Sequence, residues 1–459
     1  MKKDIRVGFL KLEKKGFISD VVINDAFLNP LGNYLKVVEI PVKSQASLKE
    51  EFGRINDYHL DYLFVDSFNS LLPVFFLREK QRISLPFILS LHTIYAWVNN
   101  YAFVLPMIRE SDIIIAPSLY ARDNFYKISK KFKVAVVPCC LDLRFIRQKP
   151  SKSRPGNRKV ISFLGRLTQD KGLDTLIKSM PKIISKVKDV ELNIIGPLSG
   201  GGINDRPKDK FVLRLQKKVK SLGLSKKVHF LGARFGKDKY RILSASSILI
   251  NPTVAKEETF SIVNIEAFAC GLPVVASDWA ASKELIENGK NGFLVKVSKG
   301  PQDKPALDIP GLANAVTRLL LDDKLHAKMS LEAFKSAAQY DYRRVMPVFV
   351  RLLKKNPNRA EEGKWQLMEN KKPKDFYRIF NKKFLFFLFY FPETSGFTYG
   401  QMCARVFSPL RKNPGKARLS NKLAALSSRN AEFFNRIKKD YLKFLTSGEL
   451  RTEKVADKS

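Results

Sequence analysis

Val160-Ile161-Ser162-Phe163-Leu164-Gly165-Arg166-Leu167-Thr168-Gln169-Asp170-Lys171-Gly172, continuing as Leu173 to Ser179, is the stretch on which the fold turns. It reads as an apolar strand, a short polar loop carrying two cations, and a helix-like segment. That is one βα unit, and in open α/β sheets such a strand ends on the crevice where ligands bind. Further strand candidates follow at Glu191–Ile195, Val228–Leu231, Ile248–Ile250, Pro273–Ala276 and Gly292–Val295. Others precede it at 5–10, Leu35–Val42, Tyr62–Val65, Phe87–Leu91, Ile113–Ala116 and Val134–Val137. Several are near-continuous apolar runs, as buried parallel strands are. Interleaved with helical stretches, they predict an α/β protein with two doubly wound parallel sheets.

The two runs of strands are separated by Arg147 to Arg158, dense in Pro, Ser and charge and without apolar periodicity, which predicts a linker. The expected organisation is a first domain at 1–146, a linker at 147–158 and a second domain at 159–331. A terminal helix at 332–355 is expected to pack back toward the first domain, and 356–459 forms a basic, aromatic-containing helical extension. In that extension Phe433, Phe434, Ile437, Tyr441, Phe444 and Leu445 recur at helical spacing among lysines and arginines. An aromatic run at 384–391 precedes them; it suits a membrane interface or packing against the two domains equally. With 459 residues, 45% of them apolar, the chain is long enough to build two cores.

The net charge is +38, divided as +7 over residues 1–150, +19 over 151–355 and +12 over 356–459. Such a field attracts any polyanion without choosing among nucleic acid, anionic lipid and pyrophosphate. It is also what a lysine-rich proteome would give. Four cysteines are too few for a disulfide framework, and Cys139 and Cys140 are adjacent, where a bridge would be strained. Cys270 and Cys403 lack metal-ligand spacing, so no metal is expected and a reducing, cytoplasmic compartment fits. Met1-Lys2-Lys3-Asp4 leads straight into a strand with no secretory pattern. No run approaches the roughly 20 apolar residues of a membrane span. The expected location is cytoplasmic, with peripheral attachment to the inner face of the membrane left open.

Two constellations carry chemistry. Gly165-Arg166 to Lys171-Gly172 places two fixed cations between a strand end and a helix N-terminus, a setting that favours anions. Arg166 offers a planar fork to phosphate oxygens and Lys171 a point charge. Taken alone, they read equally well as surface cations of a basic protein. The second runs from Glu258-Thr259-Phe260-Ser261-Ile262 through Glu266-Ala267-Phe268-Ala269-Cys270-Gly271. Thr259 to Ser261 open a helix, and a helix over 258–266 would set both carboxylates on one side, two turns apart. Carboxylates suit vicinal hydroxyls of ribose or hexose. Glu258 alone fits a solvated residue, but Glu266, followed by small apolar residues, calls for a partner.

Together, Gly165-Arg166-Leu167, Lys171-Gly172, Glu258, Glu266-Ala267 and Cys270-Gly271-Leu272-Pro273-Val274-Val275 resemble the family 4 retaining glycosyltransferases (glycosyl transferases group 1). The resemblance covers roughly 90–300 well and 1–90 poorly. It implies a GT-B fold, two Rossmann-like domains facing a cleft, and no cofactor beyond a nucleoside-diphosphate sugar acting as donor. It assigns Arg166 and Lys171 to the donor diphosphate, Glu258 to the transferred sugar and Glu266 to the ribose. Gly165, Gly196, Thr259, Phe260, Ser261 and Ile262 complete the donor-binding set, where Ser261 stands in place of the family's glycine. Leu89-Ser90-Leu91-His92-Thr93 resembles a strand whose histidine faces the donor sugar, although His92 also reads as a core histidine. Cys139-Cys140 replace the family's Asn-Gly, and the Gly-Gly loop after the first strand is reduced to Gly16 as the candidate phosphate or acceptor contact.

The activity this implies is retaining transfer of a hexose to a glycan or lipid-linked acceptor, in cell-envelope or surface polysaccharide synthesis, with no metal required. An anionic membrane surface is a further candidate partner. The rival readings are a nucleic-acid- or membrane-binding protein on a glycosyltransferase-like body, and a phosphorylase or epimerase of the same fold. Nucleic acid is disfavoured, because no recognition-helix, zinc-finger or RNP-like signature occurs.

Overall fold

The computed structural model describes residues 5–12, 27–42, 45–65, 74–75, 77–78, 83–92, 108–127, 129–146, 159–198, 209–256, 258–300 and 304–356. Gly16, the linker at 147–158, the aromatic run at 384–391 and the stretch around 430–445 lie outside the described residues.

All twelve strand candidates form, each within two residues of its expected ends. The first six are β1 (Arg6–Leu12), β2 (Lys36–Val42), β3 (Tyr62–Val65), β4 (Phe87–Ser90), β5 (Ile113–Ala116) and β6 (Val134–Val136). They make one parallel sheet in the order β2-β1-β3-β4-β5-β6. The second six are β7 (Lys159–Leu164), β8 (Val190–Ile195), β9 (Val228–Gly232), β10 (Ile248–Asn251), β11 (Val274–Ser277) and β12 (Gly292–Val295). Their order is β12-β11-β10-β7-β8-β9, the doubly wound dinucleotide-fold order with its switch point between β7 and β10. β3, β4, β5, β10 and β11 are buried along their whole length, which is why they read as unbroken apolar runs.

The helices that position the site are α1 (Leu119–Tyr126), α2 (Leu173–Lys186), α3 (Lys210–Ser221), α4 (Gly236–Ser244), α5 (Ile262–Ala269), α6 (Ile309–Leu321), α7 (Asp323–Ala337) and α8 (Tyr342–Lys355). α2 buries Leu173, Leu176, Ile177, Met180 and Ile183, the recurring positions of one helix face. With α3 and α6 it covers the second sheet in one hydrophobic core. Both sheets belong to one compact unit. Val74, Phe75 and Arg78 belong to a second, in which the buried Arg78 guanidinium lies 5.0 Å from the Phe75 ring centroid.

The single helix expected at 332–355 is two. α7 ends at Ala337, a turn of 3₁₀ helix covers Ala338–Tyr340, and α8 starts afresh with Asp341 accepting from Arg343 N at 2.9 Å. The break lets the chain cross between the halves: Leu141 N donates to Tyr340 O at 3.0 Å, and Tyr342 N to Leu141 O at 3.1 Å. Beyond it, Tyr342, Val345, Met346, Phe349 and Leu353 enter the core of the first sheet. Tyr62 Oη closes the contact, donating to Leu353 O at 3.0 Å.

Candidate active site

The site is built at the carboxyl ends of β7, β8 and β10. Gly165 follows β7 and Gly196 follows β8; Gly165 N donates to Ile195 O and Gly196 N to Gly232 O, both at 3.0 Å. A side chain on Gly196 would sit 1.9 Å from Gly165 O, so the two turns touch backbone to backbone. The result is a tight crossing of two turns at the strand ends that a larger residue at 196 would force apart.

From this crossing the loop after β7 is pressed against the loop after β10. Gly172 has φ +73°, and a Cβ there would meet Pro252 O at 2.0 Å. Val254 N donates to Asp170 O at 3.0 Å, and Thr253 Oγ1 to the same oxygen at 3.3 Å. This contact carries Lys171 to Glu258: Nζ and Oε2 are 2.5 Å apart, with side chains 20% and 10% exposed. The other carboxylate oxygen accepts from Ser261 Oγ at 2.9 Å. Burial pushes the Glu258 carboxyl up, but the Lys171 charge and hydrogen bonds from Lys171, Ser261 and Thr253 outweigh it and hold the group below its ordinary range. Glu258 is thus an anion at neutral pH despite its burial.

The two predicted cations differ in state. Lys171 is neutralised by Glu258; the half-buried Arg166 has no ion-pair partner among the described residues. A guanidinium that lacks an ion-pair partner among the described residues, next to Gly165 at a strand end, is suited to an anionic ligand.

α5 does not cover the span from Glu258 to Glu266. It begins at Ile262, so Glu258 belongs to the preceding loop and only Glu266 to the helix. The cause is Ser261, which holds φ 60° and ψ 54° at the N-cap. Its hydroxyl also meets Ser282 Oγ at 3.1 Å. Ala280, close by, has φ 48°; with Ser261 it accounts for two of the three non-glycine residues of positive φ among those described. Backbone strain concentrated around one buried carboxylate is a mark of a functional loop.

Glu266 is buried and has the partners its surroundings demand. Lys239 Nζ donates to Oε1 at 2.5 Å and Tyr240 Oη at 3.1 Å, both from α4. Phe260 turns its ring away from the site, edge-on to Tyr340 at 5.8 Å between centroids. Ile262 packs against the same core, so any ligand contact by these two residues is through the backbone.

His92 stands at the end of β4. Its Nδ1 pairs with Ser90 Oγ and its Nε2 lies 3.2 Å from Cys139 Sγ. Cys139 therefore acquires a structural reason: it faces the histidine, while Cys140 is buried in the core of the first sheet. Burial, with Cys139 and Asp341 nearby, pushes the Cys140 thiol far above its ordinary range. The backbone of His92 reaches the second half directly, its carbonyl accepting from Thr259 Oγ1 at 2.7 Å.

Sequence reasoning missed Lys239, Tyr240, Ser282 and Glu284. Their partners lie 21 to 165 residues away, and none belongs to a local pattern that points there. Among the described residues no cluster of His, Cys, Asp and Glu is placed to hold a metal ion, and no helix is long and apolar enough to cross a membrane.

Residues 145–336 match the family described as glycosyl transferases group 1. The matched span contains both loops of the site and all of the second sheet. D-inositol 3-phosphate glycosyltransferase of Corynebacterium urealyticum is 31% identical over 211 residues, covering 46% of each chain. Phosphatidyl-myo-inositol mannosyltransferase of Mycobacterium leprae is 30% identical over 185 residues, covering 40% of this chain and 43% of its own. The chain thus spans less than half the length of either relative. Among solved structures, Anabaena HepE in complex with UDP and glucose superposes with a TM-score of 0.61 at 20% identity, over 76% of this chain and 99% of its own. Sucrose-phosphate synthase of Thermosynechococcus elongatus gives 0.61 at 16% identity, over 76% and 98%. The fold is GT-B, as the resemblance implied.

Proposed function

We propose that this protein is a retaining glycosyltransferase, moving a hexose from a nucleoside-diphosphate sugar to a glycan or lipid-linked acceptor without a metal. The observation that carries the reading is the buried Lys171–Glu258 pair on the same loop as Arg166, which has no ion-pair partner among the described residues, at the switch point of a doubly wound sheet. That is where this class of sheet binds nucleotides. The match to glycosyl transferases group 1 and the UDP-bound neighbour of the same fold support it.

In this reading Arg166 and a free proton of Lys171 take the diphosphate, while Glu258 accepts from hydroxyls of the transferred sugar and Glu266 from the ribose. The acceptor oxygen bonds to the anomeric carbon on the face from which the diphosphate departs. The C–O bond to the diphosphate breaks with its electron pair, and the acceptor proton passes to a leaving phosphate oxygen. The fixed cations and backbone dipoles stabilise the developing charge in a partly dry cleft, which is an electrostatic role. His92, fixed by Ser90 and Cys139, presents its ring to the sugar. The excess positive charge suits an acceptor held at an anionic membrane surface, as in cell-envelope or surface polysaccharide synthesis, at ~1 kcal/mol per lysine or arginine near the leaflet.

The test is a panel of UDP-, GDP- and ADP-sugars, assayed for hydrolysis and for transfer to lipid-linked acceptors. Turnover of at least one donor, abolished by Lys171→Ala, is the expected result. Turnover of no nucleotide sugar, with sugar 1-phosphate formed instead from a glycan and inorganic phosphate, would convert the reading to a phosphorylase.

A further inference from the structure

The loop that carries Glu258 is held from the first half of the chain as well as from its own. Ser118 caps α1, its Oγ accepting from Ala121 N at 3.0 Å, and the same oxygen donates to Thr259 O at 2.6 Å. Thr259 is then gripped twice, because its own hydroxyl donates to His92 O at 2.7 Å. Glu284 makes the reciprocal contact: its two carboxylate oxygens accept from Leu119 N at 2.8 Å and Tyr120 N at 2.5 Å. A carboxylate on the first amides of a helix is favoured by hydrogen bonding and by the helix dipole. Tyr120 Oη adds a bond to Lys256 O at 3.0 Å.

These contacts converge on one short stretch. Lys256 and Thr259 bracket Glu258, and Ala281 N, three residues before Glu284, donates to Glu258 O at 3.2 Å. The backbone on both sides of the buried carboxylate is therefore fixed by groups of the opposite sheet's half. Nothing in the second half replaces Ser118 on the Thr259 carbonyl among the described residues.

We propose that Ser118 and Glu284 are positioning residues, a two-point latch across the cleft that sets the Glu258–Ser261 loop in its ligand-binding geometry. Neither side chain need touch the donor. The loop reaches working shape only when α1 engages it, so donor binding and the meeting of the two halves become one event. This inference rests on the donor reading given above.

The experiment uses the full chain with Ser118→Ala, Ser118→Thr and Glu284→Ala. Two quantities are measured: dissociation constants for UDP, GDP and ADP by calorimetry, and the radius of gyration by small-angle scattering. Thermal unfolding serves as a control for folding. The latch predicts that Ser118→Ala and Glu284→Ala weaken the preferred nucleotide roughly tenfold, within the 5–150-fold span of typical inter-site coupling. Both should expand the molecule, and Ser118→Thr should restore both values. Unchanged nucleotide affinity in Ser118→Ala and Glu284→Ala overturns the inference, whatever the radius. A wild-type chain that binds none of the three nucleotides refutes the donor reading instead, and the radius alone then decides whether the latch exists.

Discussion

Ser261 is where strain and charge can be separated by two substitutions. Its left-handed backbone costs a non-glycine residue ~1–2 kcal/mol. Its hydroxyl donates to the buried, ionised Glu258 at 2.9 Å, and such a bond contributes about 1.5–3 kcal/mol. Ser261→Ala loses the bond and keeps the strain. Ser261→Gly loses the same bond but relieves the strain, less ~0.4–1 kcal/mol for the larger freedom of glycine in the unfolded chain. The hydrogen-bond loss cancels in the comparison, leaving glycine more stable than alanine by roughly 0–1.6 kcal/mol, about 0.8 at the centre. At ~2–4 °C per kcal/mol for a domain of this size, the glycine variant should melt about 2 °C above the alanine variant, both below wild type. Parallel thermal melts read by fluorescence, with urea unfolding as a second measure, are sufficient. An alanine variant as stable as the glycine variant would refute the claim of strain at 261.

The remaining expectations concern charge. Breaking the buried pair with Lys171→Met or Glu258→Gln should cost ~3 kcal/mol each, the low end for such pairs because the lysine keeps some solvent contact. The double variant should recover part of that loss, and strict additivity in the cycle would argue against the pair. Because the Glu258 carboxyl is held below its ordinary range, its contribution is complete above the unfolded value near ~4.3 and is lost as pH falls through the folded value. Wild type and Glu258→Gln should therefore converge in urea midpoint only below about pH 4. Arg166→Ala removes a guanidinium without an ion-pair partner, so melting should stay within ~1 °C while nucleoside-diphosphate affinity falls roughly 10–100-fold. A drop in stability without loss of affinity would make Arg166 a structural residue.

How much of this was legible depended on the range of the interaction. Ile113–Ala116 and Val274–Ser277 could be read directly, because a strand buried on both faces writes its environment into consecutive residues. The Gly165–Gly172 loop could be read for the same reason: strand, cations and helix follow within one unit. The Glu258–Glu266 geometry could not, since the helix start is set by the backbone of Ser261, and serine gives no local sign of a positive φ. The break at Ala338–Asp341 was hidden because α7 and α8 each continue the apolar spacing. Only the crossing to Leu141, nearly 200 residues earlier, requires the chain to stop and restart there.

That distinction also bears on what sets the site. Arg166 and Lys171 come from one local unit, whereas each acidic residue finds its cation far along the chain: Glu258 meets Lys171, 87 residues away, and Glu266 meets Lys239, 27 residues away. Glu258 is buried, and a buried anion without a counter-charge would take up a proton and lose its capacity to accept from hydroxyls. In the proposed reading the cations are part of the recognition chemistry even where they touch no ligand. Replacing Lys239 by Met removes the charge-assisted hydrogen bond to Glu266 and leaves the Tyr240 hydroxyl, so nucleotide affinity should fall roughly tenfold or more if Glu266 accepts from the ligand as proposed. Unchanged nucleotide affinity in that variant would exclude the Lys239–Glu266 pair from ligand binding.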